Sequence, residues 1–208
     1  MLKEFTLLLI GIGMSFAQFT WAAGNPEKGK ALYAVCVACH GPDGAGNKAL
    51  NSPRIAGQEI WYLERQLKNF KTGVRGANSK DVYGMRMRPM AMTLPNDQAI
   101  ADVAAYVNGL KAKPPVAKIK GDTSAGKAAY MICQTCHRAK GEGNKALNAP
   151  KLINQQDWYM VRQLKGFKEG LRGTHPKDVY GMQMRPMSLT LTDDKAINNV
   201  VSYIVTFK

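Results

Sequence analysis

The chain has 208 residues, of which 45% are hydrophobic and 21% are charged, a composition that excludes wholesale disorder. Its one long apolar run lies at the extreme N-terminus, which excludes a polytopic membrane protein. Lysine and arginine number 29 against 15 aspartate and glutamate, and the resulting net charge of +14 favours anionic partners without specifying a fold.

The first residues have the pattern of an export signal. A positive residue, Lys3, precedes an apolar stretch at residues 5–17, which is shorter than the roughly 20 residues that a membrane-spanning helix needs. Small residues follow, so we predict a signal peptide at residues 1–22, with cleavage after Ala22 or after Ala23. A retained N-terminal anchor is the alternative. Export would place the mature chain in an oxidising compartment.

The rest of the chain is a tandem repeat. Equivalent residues of the two copies, such as Cys36 and Cys133, are separated by the same 97 positions throughout, and roughly half of the aligned positions are identical. The segment between the copies is rich in proline and lysine, which is typical of an extended linker. We therefore predict a first domain at residues 23–111, a linker at 112–120 and a second domain at 121–208.

Each copy is predicted to be helical. An N-cap residue and a proline precede a first helix at residues 27–35, and apolar stripes at helical spacing predict a second helix at 59–71 and a last one at about 96–110. Residues 73–89 are rich in glycine and methionine without a clear period, and we predict that they form a loop that holds a bound group. A helical domain of this size usually needs a covalent or metal staple.

Both copies contain the sequence C-x-x-C-H near their start, which is the attachment pattern of c-type haem. Two thiols add to the two haem vinyl groups, and the two intervening residues let one helical turn present both sulfurs. The adjacent histidine then lies under the iron as the proximal ligand. The candidate residues are Cys36, Cys39 and His40 in the first copy and Cys133, Cys136 and His137 in the second.

Two other interpretations of these cysteines are weaker. A thioredoxin-like redox disulfide requires a βαβ context, which the sequence lacks. A zinc site would find only three ligands on one turn in each copy, with no second pair of ligands to complete it.

The sixth iron ligand is predicted to be a methionine. His175 aligns with Asn78, so the two copies have no second histidine in common. Methionine paired with histidine is the combination that raises the reduction potential of a haem. Core packing is the alternative role for any single methionine, but it explains poorly why several of them cluster ahead of the last helix. The pairs present in both copies are Met85/Met182, Met87/Met184 and Met90/Met187.

In these features the chain resembles the cytochrome c4 family. The resemblance covers the whole mature chain and includes the export signal, both C-x-x-C-H motifs, and the Trp-Tyr-x-x-x-Gln-Leu stretches at residues 61–67 and 158–164. It implies an all-α protein of two tandem class I cytochrome c domains, each a small helical fold around a covalently attached haem. Two haem c groups are the implied cofactors.

The resemblance also implies specific ligands. In the family the axial methionine typically lies seven residues before the leucine that opens the last helix, which here is Leu94 or Leu191. This spacing selects Met87 and Met184, and Met90 and Met187 are the competitors. A proline carbonyl in the loop after C-x-x-C-H accepts a hydrogen bond from the ligating histidine, and the matching residues are Pro53 and Pro150. Arg88 and Arg185, beside the ligand segment, are candidates for pairing with the haem propionates or are ordinary solvated arginines.

The function that the resemblance implies is electron transfer in the periplasm. With both irons ligated by histidine and methionine, neither has an open position for a substrate, so we expect no enzyme activity. The protein would pass electrons between respiratory-chain partners, as donor to a terminal oxidase or another acceptor. An electron-accepting subunit of a periplasmic dehydrogenase, such as a thiosulfate dehydrogenase, is the alternative, and a diheme peroxidase is disfavoured because the two copies match closely.

The charge predicts the kind of partner. We expect redox proteins that dock through an acidic face, because a strongly basic surface steers anionic partners. Peripheral association with an anionic membrane surface is a further expectation, and no nucleic-acid partner is expected.

Overall fold

The computed structural model describes residues 23–207, so the predicted signal peptide at residues 1–22 lies outside the described residues. Within that range the chain is all-α, as the sequence predicts, with no strand. None of the described helices is both long and apolar enough to cross a membrane. The α-helices are α1 (Pro26–Leu32), α2 (Ala34–His40), α3 (Ile60–Lys71), α4 (Val82–Met92), α5 (Asp97–Gly109), α6 (Thr123–His137), α7 (Asp157–Lys168), α8 (Val179–Leu189) and α9 (Asp194–Ile204).

The two copies fold in the same way around separate cores. In the first, α1 packs on α5, and α3 packs on both α4 and α5; in the second, α6, α7, α8 and α9 repeat these contacts. The first core is centred on Ile100 and Ala104 and the second on Ile197 and Val201, all of them buried. The helix before each C-x-x-C-H motif is broken at Tyr33 in the first copy and continuous in the second. Each copy is thus a helical unit with its own apolar interior.

The linker between the copies has no helix and is held at both ends. The guanidinium of Arg54 donates to the carbonyl oxygens of Ala112 and Lys113, at 3.2 and 2.9 Å. At the other end the carboxylate of Asp157 accepts from the backbone amides of Lys118 and Ile119. The linker is therefore hydrogen-bonded to both domains.

The prediction of a loop at residues 73–89 is wrong for its second half, because α4 begins at Val82. The Asp81 carboxylate caps this helix by accepting from the amide of Gly84 at 2.9 Å, and the helix continues past an internal proline, Pro89. Apolar residues are spread around α4, since methionines lie both on its buried and on its exposed side. An apolar stripe is the signal by which a helix is recognised from sequence, and α4 has none.

A close helix crossing fixes the first and last helices of each domain. Gly29 of α1 is buried against α5, and a β-carbon there would overlap the carbonyl oxygen of Asp102; Gly126 of α6 has the same relation to Asn199 of α9. At the start of each first helix, Asp102 and Asn199 also accept from a backbone amide, at 2.7 and 2.9 Å.

We predict that Gly29→Ala destabilises the first domain by about 2 kcal/mol, because the added methyl group has to push α1 away from α5. The matched control is Gly109→Ala at the end of α5, where a β-carbon meets no atom within 4 Å. The measurement is chemical denaturation followed by circular dichroism. Equal unfolding midpoints for the two variants would show that the crossing is not tightly packed.

Candidate haem-binding sites

Each domain contains a cavity lined by the residues that the sequence singles out. Cys36, Cys39, His40, Met87 and Met90 all line the cavity of the first domain. Their equivalents in the second domain line its cavity, namely Cys133, Cys136, His137, Met184 and Met187. The first cavity measures about 640 Å³ and the second about 190 Å³, and each is lined in part by residues of the opposite domain.

The cysteines stand at the C-terminal end of a helix that opens on the cavity. Because they are three residues apart on α2 or α6, both thiols of a pair project from neighbouring turns of one face. Cys36 and Cys133 are half-buried, Cys39 and Cys136 are exposed, and none of the four is in a disulfide. Burial raises the pKa of both Cys36 and Cys133 to about 11.

The two histidines are buried and their rings are held in place. Nδ1 of His40 lies 2.8 Å from the carbonyl oxygen of Pro53, and Nδ1 of His137 lies 2.7 Å from that of Pro150. A proline carbonyl can only accept, so Nδ1 carries the proton and donates it. Burial lowers the pKa of both histidines. The rings are therefore neutral and leave Nε2 free to bind a metal.

The structure narrows the candidate methionines from three pairs to two. Met85 and Met182 are 47% and 50% exposed and line neither cavity. Met87 and Met90 are three residues apart on α4, so both face the first cavity. Met184 and Met187 have the same spacing on α8, and both face the second cavity. Met87 is half-buried, whereas Met90 is 39% exposed.

The helix that carries these methionines is fastened at both ends by residues that sequence reasoning missed. Asp178, which is buried, caps α8 by accepting from the amides of Gly181 and Gly173, at 3.1 and 3.2 Å. Beyond the other end, the ammonium group of Lys168 donates to the carbonyl oxygen of Leu191, and Lys71 does the same for Leu94 in the first domain. The available signal was the near-identical block at residues 80–85 and 177–182, in which an aspartate precedes the methionines.

The two domains meet through contacts that obey the symmetry of the repeat. Arg65 lies 3.9 Å over the ring of Tyr180 and donates to Asn148. Arg162 is its equivalent, and it lies 4.3 Å over the ring of Tyr83 and donates to Asn51. The domains are thus related by a pseudo-twofold axis, the arrangement in which one patch pairs with its own copy.

The backbones after the C-x-x-C-H loops are paired in the same way. The side-chain amide of Gln58 donates to the backbone carbonyl of Lys151 at 3.2 Å, and the side-chain amide of Gln155 donates to the backbone carbonyl of Arg54 at 3.0 Å. The backbone amide of Lys151 donates to the side chain of Glu59, and that of Arg54 donates to the side chain of Gln156. The loops that hold Pro53 and Pro150, and through them the histidines, therefore contact the opposite domain.

These donor sets fit a covalently attached haem. Each cavity offers two thiols on one helical turn, a neutral and oriented imidazole, and a thioether from a separate helix, in a mainly apolar lining. Arg88 and Arg185, in contrast, line neither of these two cavities.

Comparisons with known proteins agree with this geometry. The family model for cytochrome c matches residues 26–111 and again 123–208. The chain is 36% identical to cytochrome c4 of Azotobacter vinelandii over 97% of each chain, and 31% identical to a thiosulfate dehydrogenase electron acceptor of Thiomonas intermedia over 85% of this chain and 78% of that one. The crystal structure of reduced cytochrome c4 from Pseudomonas stutzeri superposes with a TM-score of 0.72 at 32% identity, covering 89% of this chain and 100% of that chain.

The buried cap of α8 leads to a prediction. Asp178→Ala should lower the unfolding free energy of the second domain by about 2 kcal/mol, because it removes a helix cap and leaves two amides without an acceptor. The control is Asp194→Ala, which removes an exposed carboxylate paired with Lys165 and should cost under about 1 kcal/mol. Urea denaturation of the holoprotein measures both, and equal losses would contradict the role assigned to Asp178.

Proposed function

The chain belongs to the cytochrome c4 family, and from this premise we propose that it carries electrons between periplasmic redox proteins. It is a diheme electron-transfer cytochrome with two covalently bound haem c groups, one in each domain. The observation that carries the proposal is the duplicated cavity, in which two cysteines, a histidine and two methionines converge.

We propose the following roles for the residues around each cavity. Cys36 and Cys39, and likewise Cys133 and Cys136, attach the haem. His40 and His137 are the proximal ligands, oriented by the carbonyls of Pro53 and Pro150. Met87 and Met184 are the sixth ligands. These assignments are supported by the lining of the cavities, the distances from Nδ1 to the proline carbonyls, and the lower exposure of Met87 than of Met90.

The residues around each cavity orient the haem ligands and so influence the reduction potential of the haem. When bound, each haem supplies an iron that accepts and releases one electron. The proline carbonyl fixes the imidazole, while helices α4 and α8 place the methionines on the wall of the same cavity, where they would hold the haem iron. A methionine sulfur stabilises the ferrous state and so raises the reduction potential. If a histidine and a methionine of the protein both bound the iron, no position would remain for a substrate, and the group would serve as an electron carrier.

A second candidate function concerns the electron donor. The similarity to thiosulfate dehydrogenase electron acceptors favours a role as acceptor for a periplasmic dehydrogenase. This role and donation to a terminal oxidase are compatible, since one requires an oxidised and the other a reduced haem. Purified periplasmic dehydrogenase and oxidase-containing membranes, each mixed with the holoprotein, separate the two. Reduction by the first and oxidation by the second are scored in the haem α-band.

The domain boundaries and compartment belong to the same proposal. We propose a mature protein with domains at 23–111 and 121–208, exported by a cleaved signal peptide at residues 1–22. The export-type N-terminus and the separate cores support this. N-terminal sequencing of the periplasmic protein tests it, and a first residue before Ala23 would contradict it.

The ligand assignment makes a prediction for each methionine. Met87→Ala should remove the far-red Met–iron band of the first haem and lower its potential, and Met184→Ala should do the same for the second haem alone. Met90→Ala should be milder, because that side chain would only pack beside the ring. Met85→Ala is the matched control, since Met85 is exposed and lines no cavity.

The measurement is the far-red band and the potential of each haem in these variants. If the band halves in Met90→Ala and survives in Met87→Ala, the ligand lies three residues further along than proposed, and Met187 replaces Met184 by the symmetry of the repeat.

The net charge makes a prediction about docking. Lys48 and Lys145 are exposed beside Leu50 and Leu147, two exposed apolar residues that line the cavity mouths. We propose that acidic partners dock there. Oxidation of the reduced protein by oxidase-containing membranes should slow as ionic strength rises from about 10 to 150 mM, because the Debye length falls from about 30 to 8 Å.

The variant and its control localise this effect. Lys48→Glu should slow the reaction at low salt, whereas Lys113→Glu, an exposed residue of the linker, should change it less. Vesicles of anionic and of neutral lipid, tested separately, detect membrane binding. A rate that is flat with salt, or equal in both variants, would contradict docking at the cavity mouths.

A further inference from the structure

Two arginines lie side by side where the domains meet. Arg75 follows α3 and is 6% exposed, and its equivalent Arg172 follows α7 and is half-buried. The amide oxygen of Gln163 accepts from Arg172 at 2.6 Å and from Arg75 at 3.2 Å. The amide oxygen of Gln66 likewise accepts from both arginines. Two neutral amide oxygens thus hold two guanidinium groups together across the pseudo-twofold axis.

No described carboxylate forms a salt bridge with this pair, and Asp81 acts on Arg75 only through its nearby charge. The salt bridges of residues 23–207 join Lys68 to Asp97 and Lys165 to Asp194, and neither involves these arginines. Nε of each arginine is buried without a hydrogen-bond partner. Each guanidinium also lies over a phenylalanine ring, at 4.4 and 4.3 Å. Burial lowers the pKa of Arg75, and the neighbouring charge of Arg172 lowers it further.

Two neighbouring like charges, one buried and one half-buried, with no carboxylate in hydrogen-bond contact are unfavourable, so an anion is expected beside them. An arginine presents a planar set of donors that matches a carboxylate. The position indicates which carboxylate is meant, because Arg172, Gln66 and Gln163 line both haem cavities and Arg75 lines the first. The group in each cavity is a haem, and each haem carries two propionate carboxylates.

We propose that Arg75 and Arg172 together bind haem propionates from both cavities and couple the two haems electrostatically. This inference rests on the proposed assignment of one haem to each cavity. An oxidised haem carries one more positive charge than a reduced one, so a fixed guanidinium nearby disfavours oxidation. Arg172 lines both cavities, and the shared amide oxygens of Gln66 and Gln163 hold Arg75 beside it, so each guanidinium lies near both haems.

The first experiment compares single substitutions in the holoprotein. Arg75→Gln and Arg172→Gln should each shift both midpoint potentials downward in a spectroelectrochemical titration. Arg75→Lys should recover part of the shift, because it keeps the charge and loses the planar donors. The control Lys127→Gln removes one exposed positive charge from α6 and should shift neither potential measurably. A shift confined to the haem of the substituted domain, or no shift, overturns the inference.

A second pair of variants keeps the test valid if the arginine variants do not fold. Gln66→Glu and Gln163→Glu preserve side-chain shape and place one carboxylate against both guanidiniums, which lowers the charge of the cluster from +2 to +1. Each should again lower both potentials, and unchanged potentials overturn the inference. Haem stain and intact mass of wild type and variants are recorded in parallel. Wild type without two haems refutes the haem assignment itself, whereas two attached haems with unmoved potentials refute only the role of the arginines.

Discussion

The crossing of the first and last helices is the contact on which the rest of each domain depends. It brings a buried glycine, Gly29 or Gly126, against the backbone of α5 or α9. The C-x-x-C-H turn follows directly from the first helix, and the methionine helix leads directly into the last one. Fixing this crossing therefore places an imidazole and a thioether on the walls of one cavity. A domain of under 90 residues has little other core with which to do so.

The second determinant is the symmetry of the interface. Hydrogen bonds and stacked arginines join the loops that orient the histidines to the opposite domain, so each haem site is supported by both domains. The cavities share Tyr62, Gln66, Gln163 and Arg172 in their linings. Gene duplication alone would give two independent carriers, whereas this interface places the two redox centres on either side of one charged wall.

Sequence reasoning was strongest where chemistry or periodicity is local. The C-x-x-C-H motifs, the 97-residue repeat and the helices with apolar stripes needed no tertiary information, and the all-α fold is confirmed. It failed at residues 82–89, because a helix with methionines on its exposed side has no stripe to detect. It also missed Arg75 and Arg172, since their burial arises only when the two domains meet and no single copy reveals it.

The central claim is that each cavity holds one covalently attached haem, so that the chain is a two-haem electron carrier. The most direct test is the intact mass of the holoprotein under denaturing conditions, combined with a pyridine haemochrome count per chain. The account predicts a mass increment of two haems that survives acid-acetone extraction, and two haems per chain. A single haem, or haem that is extracted, would contradict it.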